Sequence, residues 1–288
     1  METTLSLHDK SIVIGPSRPF VIIGERINPT RRKKLAESMA MGDFSLVQEE
    51  ARAQVTAGAH VLDVNAGIPG QDEAALLRGA TLAVMEVAKV PLCLDSANPD
   101  ALAAALSVYP GKALINSTTA EEKMMEVIFP LARQHGAAVI GVLTHDRGVP
   151  ATALERLRTA EHLIKRAGDY GIGPENILID PLALVVSADD QAARITLESI
   201  RLIQTELGVN MCLGASNVSF GLPDRRILNA AFLALAISQG LTSAITDPTV
   251  AEIQTTLLAC DLLMGHDAYS MRWIKTFRAR QKAAAAQA

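Results

Sequence analysis

Short apolar runs recur along the chain, and each ends in polar residues that lead into a longer stretch with helical spacing. The runs occupy residues 20–24, 60–64, 91–94, 113–115, 137–143, 177–179, 211–213 and 242–245. Apolar runs of this length between turn residues fit strands buried on both faces, the pattern of a parallel sheet. Between them the apolar positions follow a helix; Leu228, Ala231, Phe232 and Leu235 step by three, one and three. The punctuation agrees. Ser45 with Gln48, and Thr118 with Glu121, have capping-box spacing. Pro99, Pro223 and Pro248 stand where helices should begin, and Gly58, Gly136, Gly240 and Gly265 where helices should end. Eight strands alternating with helices predict an α/β fold, a closed (β/α)₈ barrel. An open doubly wound sheet has fewer strands and a glycine-rich first turn, which this chain lacks.

Two segments lie outside that count. Residues 1–19 hold a further apolar run at 11–15, separated from Phe20 by the proline-flanked stretch 16–19, and read as a hairpin that caps the barrel's bottom. Residues 276–288 are Ala-rich and basic, a trailing helix or a frayed tail. No linker divides the chain, so 1–288 reads as a single domain. Hydrophobic residues make up 49% and aromatics 3%, which suits a core of small and branched aliphatics stacked in layers. A formal net charge of −4 offers no basic face for nucleic acid. The polar start lacks the apolar segment of a signal peptide, and the most apolar window, 230–245, is broken by Ser238, Gln239, Gly240, Thr242 and Ser243. A cytoplasmic protein without a membrane span is expected. Cys93, Cys212 and Cys260 form no C-x-x-C pair and lie in apolar stretches, so they read as small buried side chains rather than metal ligands or disulfides.

A barrel of this kind builds its active site from the C-terminal ends of its strands. The residues that fall there are Glu25, Arg26 and Asn28; Asp63, Asn65 and Gly67; Asp95, Ser96 and Asn98; Asn116, Ser117 and Thr118; Thr144, His145 and Asp146; Asp180; Gly214, Ser216, Asn217 and Ser219; and Asp247. The ring is rich in carboxylates and primary amides. It holds one His, no Cys and no Lys, which argues against a metal site, and no nucleophile elbow or phosphate loop is present. Asp and Asn suit a flat heterocycle whose edge alternates donors and acceptors. A carboxylate can accept an N–H and an amino group side by side, and amides read the rest. Plainer roles compete at several positions. Asp247 and Asn98 precede prolines and read as helix caps. Asp63 can brace the barrel rim as well as bind, and His145 reads as an exposed lip residue.

The runs IIGERINP (22–29), LDVNAG (62–67), CLDSAN (93–98), ALINSTTAEE (113–122), GAAVIGV (136–142), ILIDPL (177–182), GASNVS (214–219) and SAITDP (243–248) occur in this order. In combination they resemble the pterin-binding, corrinoid-dependent methyltransferases over about residues 21–275. That family includes methyltetrahydrofolate:corrinoid/iron–sulfur protein methyltransferase and the folate barrel of cobalamin-dependent methionine synthase. The resemblance implies a dihydropteroate-synthase-like TIM barrel that binds tetrahydrofolate or methyltetrahydrofolate and holds no metal of its own. Asp95, Asn116 and Asp180 match the positions that anchor the pterin. Asn217 matches the asparagine that hydrogen-bonds folate N5, with Gly214 and Ser216 forming the turn beside it. Glu25, Asn28, Asp63 and Asn65 complete the candidate rim, and Arg225 is a candidate for the folate's glutamate tail or for a plain helix-start salt bridge. The resemblance also implies a homodimer and a cobalamin-type corrinoid supplied by a partner protein.

Under that resemblance the expected chemistry is methyl transfer between folate N5 and cobalt, in a direction the residues leave open. N5 leaves badly as a tertiary amine, so a donor there favours the transition state. An amide cannot give up a proton, and the proton is expected to arrive through water. Dihydropteroate synthase is the nearest alternative. It must grip a pyrophosphate, yet the loop at 65–71 carries no basic residue and Asn217 stands where that family has a cation. A non-catalytic folate-binding or corrinoid-docking protein is the alternative of a different class.

Overall fold

A computed structural model describes residues 1–287. Two strands, β1 (Thr3–Leu7) and β2 (Lys10–Ile14), pair antiparallel ahead of the barrel. Eight follow: β3 (Val21–Ile27), β4 (Val61–Asn65), β5 (Leu92–Asp95), β6 (Leu114–Thr119), β7 (Ala138–Val142), β8 (Ile177–Asp180), β9 (Cys212–Gly214) and β10 (Ser243–Thr246). They form one parallel sheet in the order β8-β7-β6-β5-β4-β3-β10-β9. Its two outer strands meet at a single bridge, Ile179 to Met211, where the Ile179 N–H donates to the Asn210 carbonyl at 2.9 Å. The sheet is therefore a (β/α)₈ barrel, as the eight runs predict.

Strand side chains alternate between two environments. Val21, Ile23, Val61, Cys93, Leu114, Ile140, Leu178 and Cys212 point inward and form one buried cluster. Ile22, Leu62, Leu94, Val139, Ile179 and Leu213 point outward against the helices. Leu5 and Ile14 of the hairpin belong to the inner cluster, so the hairpin forms the barrel's floor. Its backbone is tied to segments that enter the strands from below. Ser6 N–H donates to the Lys112 carbonyl at 3.0 Å, Thr3 Oγ1 donates to the Glu175 carbonyl at 2.7 Å, and Asn210 Nδ2 donates to the Ile14 carbonyl at 3.0 Å. Cys93 and Cys212 are buried in the inner cluster and Cys260 is half-buried; all three are free.

Two barrel strands carry a bulge. Between the pairs Gly24–Leu62 and Ile27–Val64, β3 holds one residue more than β4. Between Asn116–Ile140 and Thr118–Gly141, β6 holds one more than β7. Bulges re-aim side chains at barrel rims. On β3 the bulge depends on Gly24. The buried Gln54 accepts the Arg26 N–H at 2.9 Å, and its Oε1 would collide with a Cβ at position 24.

The helix punctuation is partly corrected. Asn98 caps its helix as expected, accepting the Asp100 N–H at 3.0 Å with Pro99 in first position. Neither expected capping box forms. Ser45 is already the first residue of helix Ser45–Thr56, and Thr118 lies inside β6, which runs on past its apolar residues. The real capping box is Thr152 with Glu155, where each partner accepts the other's backbone N–H at 3.2 and 3.0 Å. Pro223 and Pro248 precede their helices, which begin at Arg225 and Ala251. The basic tail is helical over Met271–Gln287; Ala288 lies outside the described residues. No helix among the described residues is long and apolar enough to cross a membrane.

Candidate active site

Polar residues reach the mouth because the inward register of each strand continues past its aliphatic residues. Ile23 leads to Glu25, Val61 to Asp63 and Asn65, Cys93 to Asp95, and Leu114 to Asn116. Likewise Leu178 leads to Asp180, Cys212 to Gly214, and Ile245 to Asp247. A cavity of about 420 Å³ opens there, lined by Glu25, Arg26, Asn28, Thr30, Arg32, Asp63, Asp95, Asn116, Gly214, Asn217, Ile245 and Asp247. A wider depression of about 670 Å³ lies outside the barrel between helices Arg225–Ser238 and Ala251–Leu263. Half of its lining is alanine, with Ile227, Thr255, Thr256 and a single acid, Glu252, so the smaller cavity is the candidate site.

One wall is a pair of buried acids served by amides. Asn65 Nδ2 donates to Asp95 Oδ2 at 3.0 Å, and Asn116 Nδ2 donates to Asp63 Oδ1 at 3.1 Å. Asn65 is itself fixed by accepting the Gly67 N–H at 2.9 Å. Burial, with the neighbouring Asp95 adding to it, pushes the Asp63 carboxyl well above the usual range. Burial likewise pushes Asp95 up to about 6, against the pull of the Asn65 hydrogen bond. Among the described residues neither acid has a cationic partner.

The part of the lining that comes from β3 and from the turn after β9 carries Glu25, Gly214 and Asn217. Ser216 Oγ donates to Glu25 Oε1 at 2.9 Å. Burial raises the Glu25 carboxyl, Ser216 lowers it, and Asp247 raises it further while Arg225 and Arg26 oppose. Asn217 is exposed to the cavity, with its amide folded over Gly214; a Cβ at 214 would come within 3.1 Å of Asn217 Nδ2. Arg225 stands outside the wall. Its guanidinium donates to the Ser216 carbonyl at 2.7 Å and to Ser219 Oγ at 3.1 Å, and lies over Phe220, so it braces the turn that presents Asn217.

The rim also holds an ion-pair network that the sequence reading did not assemble. Arg26 bonds Glu50 at 2.6 and 3.1 Å and Asp247 at 2.9 Å, and Arg32 pairs with the same Glu50. Burial disfavours the Glu50 carboxylate, but the two guanidiniums hold it below its usual range. Asp247 is thus a rim acid, bonded to Arg26 and Thr249, while Val250 takes the cap position once assigned to it. The inward register of β10 was a signal for Asp247; Glu50 comes from a helix and left none.

Asp180 and Ser216 lie beside the cavity rather than in its lining. Asp180 Oδ1 accepts the Leu182 N–H at 2.8 Å, and burial pushes its carboxyl up to about 7 although Leu182 and Arg156 pull it down. Arg156, also missed, is 1% exposed. It donates to the carbonyls of Pro150, Pro181 and Leu182 at 3.2, 2.7 and 3.0 Å and to Thr196 Oγ1 at 3.3 Å, fixing the turn behind Asp180. His145 is half-buried on a lip away from this wall, its Nδ1 accepting the Arg147 N–H at 3.1 Å.

The site is thus the mouth of a parallel (β/α)₈ barrel, where buried acids stand beside primary amides, the architecture of a barrel enzyme. Residues 24–247 match the model of the pterin binding enzyme family, and the chain belongs to that family. It is 30% identical over 267 residues to the methylcorrinoid:tetrahydrofolate methyltransferase of Eubacterium limosum, covering 90% of this chain and 96% of that protein. It is 32% identical over 257 residues to methionine synthase of Mycobacterium tuberculosis, covering 85% of this chain but 22% of that longer protein. Among solved structures, dihydropteroate synthase from Xanthomonas albilineans with 4-aminobenzoic acid superposes with a TM-score of 0.67 at 17% identity. That match covers 91% of this chain and 98% of the other, and shows a shared fold.

Proposed function

We propose that this protein transfers a methyl group between N5 of tetrahydrofolate and the cobalt of a corrinoid carried by a partner protein. One observation carries the reading: the buried acids Asp63 and Asp95, each accepting from a primary amide and, among the described residues, without a cationic partner, share one cavity with the exposed Asn217. A pterin edge supplies the N–H and amino donors the acids lack, with Asn116 and Asp180 as further anchors. The length match to the methylcorrinoid:tetrahydrofolate methyltransferase supports the same reaction.

Breaking the methyl–N5 bond leaves electron density on N5. The Asn217 amide supplies a hydrogen bond that strengthens as that density grows, which lowers the barrier more than it favours binding. The cobalt(I) acceptor is already a strong nucleophile, so the barrel's remaining task is to hold donor and acceptor in line. Either direction of transfer uses the same residues. A dihydropteroate-synthase reaction fits less well, because Arg26 and Arg32, the guanidiniums in the lining, are bound to Glu50 and Asp247 rather than free for pyrophosphate.

The test mixes the protein with methyltetrahydrofolate and cob(I)alamin, and separately with tetrahydrofolate and methylcobalamin, and follows the cobalt spectrum. Methylcobalamin should form in the first mixture and be consumed in the second; no change in either would exclude methyl transfer. Asn217→Ala should slow single-turnover transfer by about 10²–10³, while folate affinity by calorimetry changes only severalfold. Equal losses would reduce Asn217 to a binding residue.

A further inference from the structure

The methyl-transfer reading leaves a proton unaccounted for, and the cavity contains a group suited to exchange it. A tertiary amine cannot depart with a full negative charge, so N5 must gain a proton as it loses its methyl. Asn217 cannot give one up. Of the titratable carboxyls in the lining, Asp247 is bound to Arg26 and Thr249. Asp63 and Asp95 are bound to Asn116 and Asn65 on the wall that reads the pterin edge. Glu25 remains. It lines the cavity with Asn217 and Gly214, and its Oε1 accepts from the hydroxyl of Ser216, the residue next to Asn217. Among the described residues no protein donor reaches its Oε2.

We propose that Glu25 is the group that exchanges a proton with folate N5 in this reaction. In one direction the methyl–N5 bond breaks with its electron pair staying on nitrogen, and the methyl is captured by the electron pair of cobalt(I). As that bond breaks, the Glu25 O–H gives its proton to N5, leaving tetrahydrofolate and a carboxylate. In the other direction N5 attacks the methyl of the corrinoid, cobalt departs with the bonding pair as cobalt(I), and the N5 proton passes to the Glu25 carboxylate. Atoms and charge balance without a further reactant.

The surroundings suit this role. Burial raises the carboxyl above its ordinary glutamate value, the direction that favours holding a proton for transfer. The groups facing it from neighbouring elements act in both senses: Asp247 on the β10 side raises it, while Ser216, Arg225 and Arg26 lower it. Glu25 in turn raises Asp63 on the neighbouring strand β4. The β3 bulge, permitted by Gly24, sets the backbone from which Glu25 projects.

The inference rests on the methyl-transfer reading, and one experiment separates their failures. Glu25→Gln retains an acceptor for Ser216 and removes the exchangeable proton. Single-turnover transfer from methyltetrahydrofolate to cob(I)alamin should slow by about 10²–10³, with tetrahydrofolate affinity within severalfold of the parent. In the parent protein the rate should fall tenfold per pH unit on the alkaline side, as the acid is lost; in Glu25→Gln that limb should disappear. A donor with two methyls on N5, 5,5-dimethyltetrahydrofolate, departs as a neutral amine and needs no proton, so the variant should transfer from it at close to the parent rate. Equal slowing with both donors, or an unchanged alkaline limb, would overturn the role of Glu25 while leaving methyl transfer standing. No transfer by the parent from either donor would overturn both.

Discussion

The two ends of the barrel are made by the same eight strands, yet they are built to opposite rules. At the floor the inward positions are Val21, Val61, Leu114 and Ala138, sealed by Leu5 and Ile14. Polar groups there are largely satisfied by backbone, although Asn210 Oδ1 has no partner. At the mouth the same inward register holds Glu25, Asp63, Asp95 and Asn116, with acids buried beside amides and beside each other. The floor stabilises the fold by removing aliphatic surface from water. The mouth works against it, since burying a carboxyl without a cation costs free energy. A region that opposes folding persists only if its groups find partners elsewhere, and under the proposed function those partners are the donors of a ligand.

The largest effect should come from the floor. Leu5→Ala, at a site fully removed from water, should cost about 2–5 kcal/mol, read as a lower denaturant midpoint. The folate affinity of the folded fraction should not change; a weaker affinity would mean that floor and mouth are coupled. Asp95→Asn should do the reverse. Folate affinity should fall about tenfold to a hundredfold by calorimetry, for the loss of a charge-assisted acceptor. Thermal stability should stay level or rise, and a clear loss would place Asp95 with the structural residues.

Acidity gives a third, smaller contrast. Asp95 at about 6 and Asp180 at about 7 lie above the 3.8 of a free aspartate. Between roughly pH 4 and 7 the folded protein therefore holds more protons at these sites than the unfolded chain, and their contribution to stability falls as pH rises. The ligand-free melting temperature should increase from pH 7.5 to 5.5. Folate, whose N–H groups favour the ionised acids, should give a larger melting shift at pH 7.5 than at 5.5; the opposite trend would show that it binds the neutral acids. The smallest effect belongs to neither end. Thr152→Ala, which removes the capping box of the helix after the lip, should cost about 1 kcal/mol in chemical denaturation and leave folate binding alone. If binding moved, the lip would join the mouth as part of the site.

Much of this organisation was legible in the sequence, for reasons that also mark its limits. Apolar runs between turn residues identify strands that face both core and helices, and the residues at their ends must lie at the mouth. That logic located Glu25, Asn28, Asp63, Asp95, Asn116, Gly214 and Asn217, all of which line the cavity. It failed where a position depends on packing rather than period. The bulges of β3 and β6 leave no mark in apolar spacing. Glu50 reaches the rim from a helix, and Arg156 is buried on a helix whose pattern reads as amphipathic. Thr118 was misread as a cap because β6 continues through polar residues, and Asp247 because an acid before a proline usually begins a helix.

The single bridge between β8 and β9 makes the barrel a ring with one loosely fastened joint. Elsewhere each strand is stitched to its neighbour over several residues, as between β7 and β8. Asp180 stands on one side of that joint, and Gly214 with Asn217 on the other. Under the proposed function a substrate held from both sides would span the joint as a clasp across the least fastened part of the ring. Its binding energy would then add to the closure of the barrel itself, because a ligand that favours only the closed form stabilises it by mass action.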